Sequence, residues 1–173
     1  KQILTMTGLP LKGPLSDEQL PILENGGIIM VDDIIHAIGS YPEIQTKANH
    51  LNAQNIPIQS NMVCLPGLID AHTHICFGGS RAKDYALRNS GKTYLEIAKA
   101  GGGIWDTVTE TRKATTSSLI EGVKKRADRH LAHGVTTIEV KSGYGLSVEE
   151  ELKMLRAIAQ ADKECHPDLI PTC

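Results

Sequence analysis

An α/β protein, with a β-rich first part followed by strands and helices that alternate in parallel sense, is the fold class the sequence predicts. Three observations carry that prediction. Residues 1 to 65 are rich in β-branched residues, prolines and turn pairs and show little helical periodicity. From Pro66 onward short apolar strands alternate with amphipathic stretches, and each strand runs into a polar, glycine-bearing loop. Two segments are therefore expected, a small β-rich one at 1–65 and a strand–helix one at 66–173.

In the first segment strands are expected at residues 3–6, 27–31 and 34–38. Asp32-Asp33 lies between the last two as a hairpin turn, without the glycine that commonly follows an acidic turn residue, and Gly39-Ser40 closes the second strand. His36 falls inside this hairpin and reads as an exposed residue. Residues 41–60 carry Pro42, Asn49, Asn52, Asn55 and Pro57 and read mostly as loop, with one short helical turn.

The second segment opens on Pro66-Gly67-Leu68-Ile69-Asp70-Ala71-His72-Thr73-His74. In a strand, residues two apart point to the same side, so Asp70, His72 and His74 share a face. Two imidazoles at that spacing can meet one zinc or ferrous ion. A lone histidine is ordinarily a surface or hydrogen-bonded residue; here the Pro-Gly punctuation, the apolar Leu68-Ile69 and the glycine loop at Gly78-Gly79 put the pair at the C-terminal end of a strand. In parallel α/β barrels that end carries the chemistry.

Residues 75–91, with Arg81, Lys83, Asp84 and Arg88, read as a long loop with room for a short helix. Thr93 and Glu96 have capping-box spacing and open a short helix that Gly101-Gly102-Gly103 ends. Three glycines suit either a close backbone approach or a flexible connection. Ser118 and Glu121 form a second such box, with Ile120, Val123, Ala127 and Leu131 as the buried stripe and Gly134 as the stop. Lys124-Lys125-Arg126 reads as a solvated face, and His130 and His133 as residues at the negative end of the helix dipole. A strand at 135–140 leads into Lys141-Ser142-Gly143-Tyr144-Gly145. Ser147 and Glu150 then cap a helix expected to bury Leu152, Leu155, Ile158 and Ala159; His166-Pro167 ends it, and a further strand begins at 169.

Composition narrows the function classes. Of 173 residues 40% are hydrophobic and 22% charged, ordinary values for a globular protein, while aromatics at 3% leave few stacking surfaces for single-stranded nucleic acid. A net charge of −2 removes the electrostatic case for nucleic acid or anionic membrane. Cys64, Cys76, Cys165 and Cys173 form no C-x-x-C pair, which fits a reducing compartment and makes the cytoplasm the expected location. No apolar run approaches a membrane span. Two strand–helix units and the start of a third strand fall well short of the roughly 250 residues of a (β/α)8 barrel. Two readings follow: a piece of such a barrel, as Lys1 and the strand-like end also suggest, or a small open-sheet protein.

The stretch Pro66 to His74, behind a β-rich segment, resembles the metal strand of the amidohydrolase superfamily. Phe77-Gly78-Gly79-Ser80-Arg81, Ala100-Gly101-Gly102-Gly103-Ile104 and Glu139-Val140-Lys141-Ser142-Gly143-Tyr144-Gly145-Leu146 are similar to the branch that opens an imidazolone ring in histidine degradation. The resemblance implies an N-terminal β-sandwich segment, then the first units of a metal-dependent (β/α)8 barrel, truncated. It implies hydrolysis of the cyclic amide of 4-imidazolone-5-propanoate to N-formimidoyl-L-glutamate. It makes His72 and His74 two of four ligands to one zinc or iron, and Arg81, Tyr94 and Tyr144 the holders of a carboxylate-bearing small molecule. The remaining ligands and the general base are expected beyond Cys173, so the chain by itself should be inactive; a homodimer is expected of the whole. Asp70 is expected beside the metal rather than on it, Glu139 and Lys141 as an ion pair, and Cys76 as a thiol able to compete for the metal. Another amidohydrolase, such as a heterocycle deaminase, and a non-catalytic barrel relative are the rival readings.

Overall fold

The computed structural model describes residues 1–58 and 62–173. The chain is mixed α/β with small sheets and divides into two compact units, Lys1–Pro66 and Gly67–Cys173.

The first unit contains β1 (Gln2–Leu4), a 3-10 turn (Asp17–Gln19), β2 (Ile22–Glu24), β3 (Gly26–Val31), β4 (Ile34–Ser40), α1 (Tyr41–His50) and β5 (Val63–Cys64). β1 pairs antiparallel with β2 and parallel with β5. β3 and β4 form the expected hairpin, Val31 opposite Ile34. Its turn needs no glycine because Asp32 itself takes the left-handed conformation, at φ 53°, which a short polar side chain tolerates. The pairing jumps from Ile29–Ala37 to Met30–Ile35, so His36 is the extra residue of a bulge, and it is exposed.

The expected loop at 41–60 is instead a ten-residue helix over its first half, α1; Gln59 and Ser60 lie outside the described residues. Pro42 read as a breaker, yet it stands in the first turn, where its missing N–H leaves nothing unpaired. Glu43 reaches back to accept the Ser40 N–H at 3.3 Å. Ile44 is buried against β3, where a Cβ on Gly27 would sit 2.8 Å from it, so this contact requires glycine.

The second unit holds β6 (Leu68–Thr73), α2 (Ala82–Asn89), α3 (Tyr94–Lys99), α4 (Ile104–Lys113), α5 (Thr116–Leu131), β7 (Val135–Lys141), α6 (Val148–Asp162) and β8 (Asp168–Thr172). Its sheet has the order β6-β7-β8, all parallel. Ile138 and Val140 of β7 face Leu119, Val123 and Ala127 of α5 and Met154 and Ile158 of α6 in one aliphatic core.

Helix starts and faces depart from expectation in instructive ways. α5 begins three residues early, because Thr115 rather than Ser118 is the cap, its side chain accepting the Ser118 N–H at 3.1 Å. The buried stripe is then Leu119, Val123 and Ala127, with Ile120 only half-buried. On α6 Ser147 does cap, accepting the Glu150 N–H at 3.4 Å, but Leu152 and Ala159 are exposed while Met154, Ala157, Ile158 and Ala161 are buried. Glu151 is drawn inward by the preceding loop, and at 3.6 residues per turn that puts 154, 158 and 161 on the inner side. α4 had no apolar stripe to announce it, since two of its three buried residues are Thr107 and Thr111.

The basic run is not a simple solvated face. Lys124 pairs with Glu121 (3.0 Å) and Glu164 (2.9 Å), and Arg126 is half-buried, donating from one Nη to the carbonyls of Ile75 (2.7 Å) and Phe77 (3.2 Å) with its guanidinium 3.5 Å above the Phe77 ring. Among the described residues no helix is long and apolar enough to cross a membrane.

Candidate functional site

His72 lies in β6 and His74 just past its end; their ring centroids are 5.1 Å apart in a T-shaped arrangement. The Tyr144 ring stands 5.4 Å from that of His74. His72 is exposed, whereas Nδ1 of His74 is buried with no hydrogen-bond partner among the described residues. Asp70 does not join the pair. One of its oxygens accepts the His72 N–H at 3.3 Å, and the other faces His130 Nε2 at 3.4 Å, tying β6 to the end of α5. His130 and His133 cap that end through their Nδ1 atoms, 2.9 Å from the Arg126 carbonyl and 2.7 Å from the Arg129 carbonyl.

Glu139, on β7, works across the whole sheet. Its Oε2 accepts the Thr73 N–H of β6 at 3.0 Å, its Oε1 accepts the hydroxyl of Thr172 of β8, and His72 Nδ1 lies 3.6 Å from Oε2. The Thr172 hydroxyl first, then the Thr73 N–H outweighing the penalty of burial, hold the Glu139 carboxyl below the ordinary carboxylate range. The expected ion pair with Lys141 is not made: Lys141 Nζ donates to the Cys173 carbonyl at 3.2 Å, while the Glu139 oxygens are already occupied by neighbouring strands.

The loop that carries Tyr144 is held from two sides. Glu151 accepts the N–H groups of Gly143 (2.6 Å), Gly145 (2.9 Å) and Leu146 (2.7 Å), and Arg112 of α4 donates to the Gly145 carbonyl at 2.7 Å. Burial alone would raise the Glu151 pKa; the neighbouring Ser142 hydroxyl and the three backbone donors reverse that and hold it low.

Arg81 and Tyr94 belong to a second cluster. Arg81 Nε donates to Asp84 Oδ2 at 2.5 Å and an Nη to the Thr107 hydroxyl at 3.4 Å. Asp84 Oδ2 also accepts the Gly103 N–H at 2.8 Å, and this donor, with Arg81 beside it, keeps the Asp84 carboxyl below its usual range. The three glycines are thus a close approach rather than slack. A Cβ on Gly102 would overlap Asp84 Oδ1, and Gly101 and Gly103 take φ of 85° and 84°. Tyr94 opens α3 beside Gly103 and lines a cavity of about 300 Å³ with Trp105, Asp106 and Thr109.

Two imidazoles that share one strand end, one with an orphaned buried nitrogen, suit a metal ion's donor chemistry. They are two ligands and no more: among the described residues no group of three His, Cys, Asp or Glu side chains could hold an ion. Cys76 is no competitor, because it is fully buried against the carbonyl of Met154 (3.9 Å to Sγ) and burial pushes its thiol up to about 12. Sequence reasoning missed Glu151 and Asp84. The only available signal was a glycine-rich loop whose N–H groups require acceptors, and Glu149, Glu150 and Glu151 are equal candidates for that.

The motifs around His72 and Tyr144, on a mixed α/β chain with small sheets, resemble those of the amidohydrolases. The chain is 40% identical over 99% of its length to the imidazolonepropionase of Clostridium tetani, and 43% identical over 99% to that of a Geobacillus species. It is 44% identical over 88% of its length to the imidazolonepropionase of Bacillus cereus (strain G9842). No family model matches the chain. It spans 41%, 41% and 35% of these relatives' lengths, so it resembles imidazolonepropionase in a manner consistent with an N-terminal portion of that protein.

Proposed function

We propose that the chain is the first part of a metal-dependent imidazolonepropionase, residues 1–65 a β-sandwich segment and residues 66–173 the first two strand–helix units and third strand of a (β/α)8 barrel. The observation that carries the reading is the gathering of His72, His74 and Tyr144 at the C-terminal ends of two adjacent parallel strands, in a chain 40% identical to proteins of that name.

The reaction is the hydrolysis of 4-imidazolone-5-propanoate. Water adds across the ring amide, its hydroxyl going to the carbonyl carbon and its proton to the departing ring nitrogen, to give N-formimidoyl-L-glutamate. His72 and His74 would hold one zinc or iron ion through imidazole nitrogens, and that ion supplies Lewis acidity at the carbonyl. Arg81 offers a guanidinium fork to the propionate, and Tyr94 and Tyr144 add phenolic donors. Asp84 occupies the Arg81 Nε, which leaves the Nη groups to reach the propionate carboxylate.

A substrate panel on the complete enzyme tests this. Turnover of imidazolone propionate, with neutral heterocycles inert, is expected; deamination of a neutral heterocycle, or no turnover with any of them, would overturn it. The 173 residues alone, with two of the three protein ligands a catalytic zinc generally needs, should show no turnover.

A further inference from the structure

We infer that Glu139 is the positioning residue for His72, its Oε2 facing Nδ1 and fixing the imidazole proton there, so that Nε2 is the nitrogen left for a metal. The inference rests on the metal-site reading of the histidine pair. Three observations carry it. His72 Nδ1 and Glu139 Oε2 are 3.6 Å apart, just outside hydrogen-bond length, and His72 is exposed enough for its ring to turn through that gap. Glu139 cannot turn away, because Thr73 N–H and the Thr172 hydroxyl anchor one oxygen each from the strands on either side. Among the described residues no lysine or arginine makes a salt bridge to it, and Lys141 Nζ donates to the Cys173 carbonyl.

Physically this is a division of labour between the two imidazole nitrogens. A neutral ring has one N–H and one lone pair, and a carboxylate beside Nδ1 draws the proton to that side. The ring is then both aimed and made more basic at Nε2, the arrangement typical of histidines that bind metals. His74 has no such carboxylate: its Nδ1 is buried and unpartnered among the described residues, so the two histidines of the pair are inequivalent.

The test is the His72 tautomer, read by long-range proton–nitrogen correlation on the ¹⁵N-labelled chain without metal, at about pH 8.5, where imidazole is neutral. The proton is expected on Nδ1 in the wild type. Glu139→Met, which keeps the length and removes the acceptor, should shift the tautomer ratio toward Nε2–H by roughly tenfold. Glu139→Gln keeps an oxygen at the Oε2 position and should retain Nδ1–H. Wild-type His72 protonated on Nε2, or a ratio unmoved in Glu139→Met, overturns the inference. If Glu139→Met fails to fold, Glu139→Asp withdraws the carboxylate by one methylene; a lowered Nδ1–H fraction supports the inference, and an unchanged one overturns it. Because no turnover or metal enters this measurement, its failure is distinct from failure of the hydrolase reading.

Discussion

Tyr144 stands over His74, 5.4 Å from ring to ring, on a loop three of whose N–H groups end on one carboxylate, that of Glu151. A side chain from the first turn of α6 therefore sets where an aromatic of β7's following loop meets the end of β6. The same inward carboxylate fixes the rotation of α6, so one residue links helix packing to the site.

Glu151→Gln should consequently cost about 2 kcal/mol of stability, because an amide can accept at one end only and strands at least one loop N–H. Denaturant unfolding measures the cost. Hydrogen exchange should show faster exchange at Gly143, Gly145 and Leu146 while the amides of β7 keep their protection; uniform loss would sink the assignment.

Gly102→Ala is expected to destabilise by roughly 1–3 kcal/mol, since its Cβ meets Asp84 and Ile97 together. Chemical denaturation of the variant checks this, and Asp84→Ala combined with Gly102→Ala should cost less than the sum of the two, because both act on one contact.

Acid should loosen the second unit. Glu139 and Glu151 both titrate below their ordinary 4.5 in the folded chain. A carboxylate depressed by folding contributes stability above its unfolded pKa and loses it as pH falls through the folded value. Melting temperature should therefore hold steady above about pH 5 and fall progressively below about pH 4.5, less steeply in Glu151→Gln. A melting temperature flat to pH 3 would contradict it.

Thiol titration should separate the cysteines. Cys64 and Cys173 are exposed and should react readily with an aromatic disulfide near neutral pH, whereas Cys76, with its thiol pushed up to about 12, should react only on unfolding. Prompt modification of Cys76 in the native chain would mean that it is not packed under α6.

On the proposed hydrolase reading, Arg81→Ala in the complete protein should raise KM for imidazolone propionate by about 10- to 100-fold, the worth of a charge-assisted pair, with kcat less affected. Steady-state kinetics decide it, and an unchanged KM would remove Arg81 from the substrate's surroundings.

The parallel strand–helix pattern of the second unit was legible because β7 and its flanking helices follow simple periods: Ile138 and Val140 alternate with polar residues, and Val123 and Ala127 are one turn apart. The His72–His74 pair was legible for the same reason, a period of two. What escaped has a common cause, since polar residues were read by type and not by partner. Pro42 sits where a proline is harmless, Thr107 and Thr111 are buried on α4, and Arg126 places its charge on two carbonyls of the loop after β6. Cys76 falls in a loop by sequence yet is wholly buried. Such placements are decided by which backbone groups need a donor or acceptor, and that is a property of the folded neighbourhood.

The order of the sheet also bears on how it assembles. β7 meets β8 with Thr137 opposite Asp168, and meets β6 with Leu68 opposite Val135, across about twice the span of chain. Doubling a closed loop costs only about 0.6 kcal/mol more, roughly a threefold bias. That bias favours β7, α6 and β8 closing first, with β6 docking onto a finished edge. Pulse-labelled exchange should then protect Ile138 and Leu169 before Thr73. The histidines would be the last groups delivered, arriving on a strand whose landing place, the Glu139 carboxylate of β7 with one oxygen already held by Thr172 of β8, waits for the Thr73 N–H that completes its anchoring.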